Sequence, residues 1–271
     1  MLQLGPSEYF GEAIWERSLS GLRLTLSHYQ PCHTQPWHCH VRPTFFLLLT
    51  GDHRDHTKHQ IFRQAPCTLV FHPTTTSHAG ELGHCPVRGL NVEYAPEWLA
   101  KHHLGESDLG TYRALGSPRD RLSALRFLAT AFQSGARADA ELEMQAFELL
   151  APLPSRKSIE PAAPRWFGRA DEFLQASFRD SISLRDVARE AGVHPVYLAR
   201  VFRRRQGCSV SEYLRILRLN EAARLVMEGA PLAQAAYSAG FADQAHFSRC
   251  CSSIFGFSPK GLRSVRQAFQ K

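Results

Sequence analysis

The spacing of apolar residues along this chain changes twice. From residue 15 to about 95 they fall in short runs: "LRLTLSHY" (22–29), "TFFLLLTG" (44–51), "QIFRQ" (60–64), "CTLVFHP" (67–73) and "VRGLNVEY" (87–94). Gly and Pro punctuate these runs at strand-and-turn intervals, which predicts an all-β sandwich or barrel. Just before the second run stands "WHCH". Its His38 and His40 are two apart, so in a strand both side chains share one face. Beyond residue 118 the period becomes three to four. Leu122, Leu125, Leu128, Ala129 and Phe132 predict one helix, and Leu142, Met144, Phe147, Leu149 and Leu150 a second. Two amphipathic helices trailing a β domain either pack on it or serve to dimerise.

The pattern then stops. "APLPSRKSIEPAAPR" (151–165) holds four prolines and no apolar periodicity, so residues 151–164 read as a linker between a domain over 1–150 and another over 165–271. Everything after it reads helical, near 165–178, 183–190, 195–206, 209–228, 232–239 and 243–255, with a last short helix from Pro259. The stops are explicit at Gly192, Gly207, Gly229, Gly240 and Gly256. Ser183 reads as an N-cap, and Ser209 with Glu212 three residues later as a capping box.

Charge sharpens this division. The chain of 271 residues carries a net +7, but residues 156–271 hold 19 Lys+Arg against 10 Asp+Glu, a net of +9. The N-terminal part is therefore close to neutral, and it carries 12 of the 14 histidines. A basic, histidine-poor domain points to a polyanionic partner, most simply double-stranded DNA. No run of about 18 apolar residues is present, so no membrane partner is expected. The first residues lack a basic start followed by an apolar core, and the seven cysteines have no regular spacing. Both features point to a reducing cytoplasm.

The basic domain contains an internal repeat. "LRDVAREAGVHPVYLARVFRRRQG" (184–207) and "LAQAAYSAGFADQAHFSRCCSSIFG" (232–256) each run short helix, Ala-Gly-apolar turn, longer helix. That is two helix-turn-helix units, about 184–206 and 232–255, joined by one helix. The joining helix of about 20 residues spans roughly 30 Å. Successive major grooves on one side of B-DNA lie about 34 Å apart, so both second helices could enter adjacent grooves.

Here the chain resembles the AraC/XylS-type transcription regulators over about residues 166–266. The second unit's signature stands as Gly240-Phe241, Phe247-Ser248-Arg249, Gly256-Phe257-Ser258-Pro259 and Arg263. Leu198, Arg200, Phe202, Gly207 and Tyr213 match in the first unit, as do Arg218, Ala222 and Leu225 in the joining helix. The chain departs from the pattern at Cys251, where the family has a core Phe, and at Ser252-Ser253, where it has lysines. Fewer cations there imply weaker phosphate contact by the second unit. By matched position the DNA-binding candidates are Val196, Ala199, Arg200, Arg203, Arg204, Gln244, Ala245, His246, Ser248 and Arg249. Arg200 and Arg249 suit guanine, Gln244 adenine, and Val196 and Ala199 thymine methyls; phosphate contact is the competing role for the arginines. Leu198, Phe202, Leu225, Phe241 and Phe247 read as core.

The resemblance also implies an N-terminal cupin-like β-barrel that binds a small effector. Metal-binding cupins place two His, then a carboxylate four or five residues on, then a third His. Here the carboxylate positions hold Thr44 and Phe45, so no carboxylate is expected in the site and catalysis is not supported. His38, His40, His72 and His78 are the effector-binding candidates. No cofactor is assigned, and a metal ion on His38, His40 and His78 stays open. The overall expectation is α+β in two domains. A cupin-like barrel with trailing helices precedes an all-α domain of two helix-turn-helix units. The function expected is that of a cytoplasmic, effector-controlled DNA-binding regulator, an activator rather than a repressor and not an enzyme. Its partners would be DNA, an effector, a homodimer mate and, by resemblance, RNA polymerase. The rival reading is a cupin metalloprotein or metal/thiol sensor fused to a DNA-targeting domain.

Overall fold

A computed structural model describes residues 2–64, 66–74, 76–105, 109, 111–150, 163–255 and 258–268, the side chains of 255 and 264–268 excepted. The described residues fall into two compact units, one made of those up to residue 150 together with 263–268, the other of 163–255 and 258–262. Residues 151–162 of the predicted linker, and Gly256-Phe257 of the signature, lie outside them.

The first unit is two sheets with helices. Strands β1 (Leu2–Leu4), β2 (Glu12–Leu19), β3 (Leu22–Tyr29), β4 (Thr34–His40), β5 (Thr44–Thr50) and β6 (His53–Thr57) come first. Strands β7 (Ile61–Gln64), β8 (Leu69–His72), β9 (His78–Leu82), β10 (Val87–Tyr94) and β11 (Arg113–Leu115) complete the set. One sheet has the order β1-β4-β9-β6-β7 and the other β11-β8-β5-β10-β3-β2. The expected barrel is therefore not closed: these are two separate hydrogen-bonded sheets. Three of the four edges end in strands of only three or four residues, too short to carry a ladder across to the other sheet.

The four inner strands of the six-stranded sheet, β8, β5, β10 and β3, are buried on both faces, and each face has its own chemistry. Phe45 meets Phe71 and Tyr94, and Tyr94 donates its hydroxyl to the Ala146 carbonyl of the second trailing helix. That face is apolar. On the other, Phe46 touches Tyr29 and, across in the five-stranded sheet, His53. Thr25, Ser27 and Asn91 share this inner face, with Asn91 donating to Ser27 Oγ at 3.1 Å. Double burial explains why "TFFLLLTG" reads as a solid apolar run rather than an alternation. Glycine permits the tightest inter-strand contacts. A Cβ at Gly80 would lie 2.3 Å from Gln35 Oε1 and 2.7 Å from His53 Nε2.

Helices α1 (Pro96–Lys101), α2 (Pro118–Ala131) and α3 (Ala136–Leu150) follow the strands. α2 opens with a capping box in which Ser117 and Asp120 satisfy each other's backbone N–H. Arg17 of β2 reaches the carbonyls that end α2 and pairs with Asp139 of α3. In α3 the buried stripe is Leu142, Gln145, Ala146, Leu149 and Leu150, whereas Met144 and Phe147 are exposed at 57% and 39%. Their expected place on the packed face is corrected by the 3.6-residue turn, which puts 144 and 147 off the line through 142, 146 and 149.

The second unit is all helical: α4 (Arg165–Ser177), α5 (Leu184–Ala191), α6 (Pro195–Gln206), α7 (Val210–Glu228), α8 (Leu232–Ser238), α9 (Gln244–Phe255) and the first residues of α10 (Pro259–Ala268). Local signals set these ends. Ser183 with Asp186, and Ser209 with Glu212, form full capping boxes at the starts of α5 and α7. Gly192, Gly207 and Gly229 close α5, α6 and α7 in the left-handed conformation that glycine adopts without strain. Leu198, Phe202, Phe241, Phe247 and Cys251 are core, while Leu225 is only half-buried. Arg218 of α7 donates to the carbonyls of Phe178 at 2.6 Å and Asp180 at 2.9 Å, binding the α4–α5 turn to the joining helix.

Candidate functional site

Between the sheets of the first unit lies a cluster of buried polar side chains. β4 carries His38 and His40, with ring centroids 5.3 Å apart, on the face that meets His78 at the start of β9. His78 stands 4.1 Å from His38, 5.2 Å from His40 and stacks on His72 of β8 at 4.0 Å and 7°. All four predicted effector residues thus come together, and each is less than 9% exposed. Their ligand atoms form two groups that share His78. One is His38, His40 and His78; the other is Asp55, His72 and His78. Within each group the atoms lie within 4.8 Å of one another.

Asp55 overturns the expectation of a site without a carboxylate. It sits on β6, has no exposed surface, and its Oδ2 accepts from His72 Nε2 at 2.8 Å and from the Tyr112 hydroxyl at 2.6 Å. Thr44 and Phe45 do lack the acid, but β6, two strands from β4 in its sheet, supplies it 15 positions after His40. The signal available in the sequence was "HRDHT" (53–57), whose His53 and Asp55 alternate like the inner face of a strand. His53 is also buried and lines the cavity with Gln35 and Asn91, and no candidate set included them.

The electrostatics of the cluster follow from burial. Desolvation holds His38, His40, His53, His72 and His78 below the ordinary histidine range, so at neutral pH their rings are uncharged. Desolvation and the adjacent Asp55 push the Tyr112 hydroxyl up, which keeps it a donor. A neutral imidazole has one N–H and one lone pair. His38 Nδ1 lies 2.8 Å from the Pro36 carbonyl and His78 Nδ1 lies 3.4 Å from that of Thr76. A carbonyl can only accept, so these nitrogens carry the protons and each Nε2 keeps its lone pair. His40 Nδ1, His72 Nδ1, both nitrogens of His53 and Asp55 Oδ1 are buried without a hydrogen-bond partner. The cavity these residues line has a volume of about 30 Å³. That is room for about two waters, against roughly 300–1,000 Å³ for sites that take drug-sized ligands.

The second unit presents an open surface instead. Along α6, Val196 (70% exposed), Arg200, Arg203 and Arg204 lie outward at helical spacing, with Ala199 half-buried between them. Along α9 the outward residues are Gln244, Ala245 and Arg249, with Ser248 half-buried. His246 is turned inward, edge-on to Phe241 at 5.3 Å, and its backbone N–H is taken by Asp243. Among the described residues Arg200, Arg204 and Arg249 form no ion pair. Arg200 lies over the Tyr197 ring at 5.8 Å. Arg205, third of the arginine run, is half-buried and lies over Phe167 of α4 at 5.7 Å, so it belongs to the packing of this unit. Burial pushes the Cys251 thiol up to about 12, in keeping with its place in the core.

Residues 187–264 match the helix-turn-helix domain family. The chain is 32% identical over 119 residues to the HTH-type transcriptional regulator GlxA of Rhizobium meliloti, covering 38% of this chain and 36% of that one. It is 30% identical over 129 residues to the HTH-type transcriptional activator RhaS of Escherichia coli O139:H28, covering 47% and 46%. The match thus spans less than half the length of either relative. Among solved structures, an AraC-type transcriptional regulator from Chromobacterium violaceum is 28% identical, covering 37% of this chain and 91% of that one, with a TM-score of 0.36.

Proposed function

We propose that this chain is an AraC/XylS-type regulator, a sequence-specific transcription regulator controlled by a small effector bound in its N-terminal unit. It activates rather than represses, works in the cytoplasm, and has RNA polymerase and a second copy of itself as partners. Residues 1–150 form the cupin-like sensing and dimerising domain, 151–164 the linker, and 165–271 the DNA-binding domain. α5–α6 and α8–α9 are its two helix-turn-helix units, with α6 and α9 the reading helices.

One observation carries this reading: two exposed helix faces, an arginine-rich one on α6 and one carrying Gln244 and Arg249 on α9, stand at the ends of a single helix. α7 has 19 residues. At 1.5 Å each it spans about 28 Å, close to the roughly 34 Å between successive major grooves on one side of the duplex. Unpaired guanidinium groups on those faces are desolvated at no cost to an internal ion pair when they meet phosphate or guanine. Arg200, Arg249 and Gln244 read bases. Arg203 and Arg204 hold phosphate, and Val196, Ala199, Ala245 and Ser248 fit the groove by shape. His246 supports α9 through Phe241.

Selection of duplexes from a randomised pool by the full chain tests the proposal. The expected result is one enriched motif with two half-sites about one helical turn apart. Binding that ignores sequence would overturn the regulator reading.

A further inference from the structure

The two sites make opposite demands on a ligand. A regulator's effector pocket is ordinarily sized for a metabolite, yet the cavity here has a volume of about 30 Å³, and five histidines line it beside Gln35, Asn91 and apolar side chains. Three of its histidines, His38, His40 and His78, bring their ligand atoms within 4.8 Å of one another. In a tetrahedral site with bonds of about 2.0–2.1 Å, ligand nitrogens are about 3.3 Å apart. Small side-chain rotations about a central ion close that gap. The backbone carbonyls of Pro36 and Thr76 already hold the outer nitrogens of His38 and His78. Histidines that ligate metals are oriented by such outer hydrogen bonds.

Charge argues the same way. Asp55 is a carboxylate with no exposed surface whose named hydrogen-bond partners, His72, Tyr112 and Gln64, are none of them Lys or Arg. A buried anion without a counter-charge is costly. So is a buried ring nitrogen with no hydrogen-bond partner, as at His40 Nδ1. A single divalent cation answers both defects, whereas a water answers only the second. Imidazole nitrogens favour zinc, copper and nickel over magnesium or calcium, which prefer oxygen.

We propose that His38, His40 and His78 bind one transition-metal ion and that this ion is the effector, with the Asp55–His72 pair stacked against His78 as a positioning element. The inference rests on the reading of the N-terminal unit as the sensor. It replaces a metabolite with an ion and gives the buried carboxylate a role: its charge offsets the ion, and through His72 it fixes the ring plane of His78.

The test uses the full chain stripped with a chelator, then titrated with ZnCl2, with MgCl2 as the control, and with CoCl2 as a spectroscopic probe. The expected result is one zinc per chain, no magnesium binding, and the visible absorption of tetrahedral cobalt. His40→Gln and His78→Gln should each lose saturable zinc binding, while His59→Ala, at an exposed histidine, should keep it. Asp55→Asn should keep one zinc per chain with affinity about 10- to 100-fold lower and an altered cobalt spectrum, a change that a merely structural role would not produce. Zinc should also change affinity for the selected duplex at least tenfold. A folded wild-type chain that binds no zinc overturns the inference; if a metabolite then shifts duplex affinity, effector control survives without the ion. Stoichiometric zinc with duplex affinity unmoved by zinc or by any metabolite overturns the ion's role as effector, and effector control with it. Melting curves of each variant show whether a loss reflects unfolding, and the wild-type cobalt spectrum decides the matter if every ligand variant unfolds.

Discussion

The histidine cluster and the α6–α9 face are built on contrary principles. The cluster puts polar groups where water cannot reach, and its chemistry comes from neutral rings packed within 4–6 Å of one another. The helix face puts cations where only water or a polyanion can reach them. The first is assembled from four strands, β4, β6, β8 and β9, each lending one or two residues. The second is written twice in contiguous helices. A site assembled from distant strands is small and selective by geometry. One written on a helix is broad and selective by the order of side chains along it.

The contrast is broken most severely through the core beneath the helix face. Phe202 is fully buried against Phe167 and Tyr213. Phe202→Ala is expected to cost about 3–5 kcal/mol and abolish duplex binding, read by melting and by gel shift. If duplex affinity survives intact, the reading surface does not depend on this core. Next comes Gly240, at φ +85°, where a Cβ would lie 2.6 Å from the Arg179 carbonyl oxygen. Gly240→Ala should cost at least about 1–2 kcal/mol from the left-handed backbone alone, measured by urea titration.

Arg200→Ala separates reading from holding. A base contact predicts a loss of about 1–3 kcal/mol on the selected duplex and little on a scrambled one. Equal losses on both would reassign Arg200 to phosphate. Ser209→Ala removes the capping box of α7 and should cost about 1 kcal/mol, visible as a lower melting temperature.

The smallest effect concerns pH. Hydrogen bonds from Arg224 and then Arg179 hold the Glu221 carboxyl below its ordinary range. A carboxylate whose folded pKa is depressed stabilises above its unfolded pKa and ceases to as pH falls through the folded one. Glu221→Gln should therefore cost up to about 1 kcal/mol at pH 7, with the deficit vanishing in the acid range below about 4. A deficit that persists at low pH would mean the pair is held by packing.

Legibility in the sequence followed the same contrast. The second unit's helices form within two residues of their expected ends, because capping boxes at Ser183 and Ser209 and terminal glycines act over three to five residues. β3, β5, β7, β8 and β10 were readable as apolar runs. β2 and β6 were not, since an exposed edge strand and a strand rich in His, Asp and Arg show no apolar signal. His38 and His40 could be named from residue type and spacing, and His72 and His78 from the resemblance to the cupin pattern. Asp55 and Tyr112 could not, because the strand pairing β6–β9 and the course of the chain after α1 bring them in.

The sequence by itself determined the all-α second unit, its repeated helix pairs and the residues on their outer faces. Helical signals are local, and the chemistry of an exposed face is that of its own residues. Only the tertiary structure decided that the sheets do not close, that a buried carboxylate faces the histidines, and that their cavity is no more than about 30 Å³. Each of these depends on which strands pair and on how much space their side chains leave, and those distances join residues tens of positions apart.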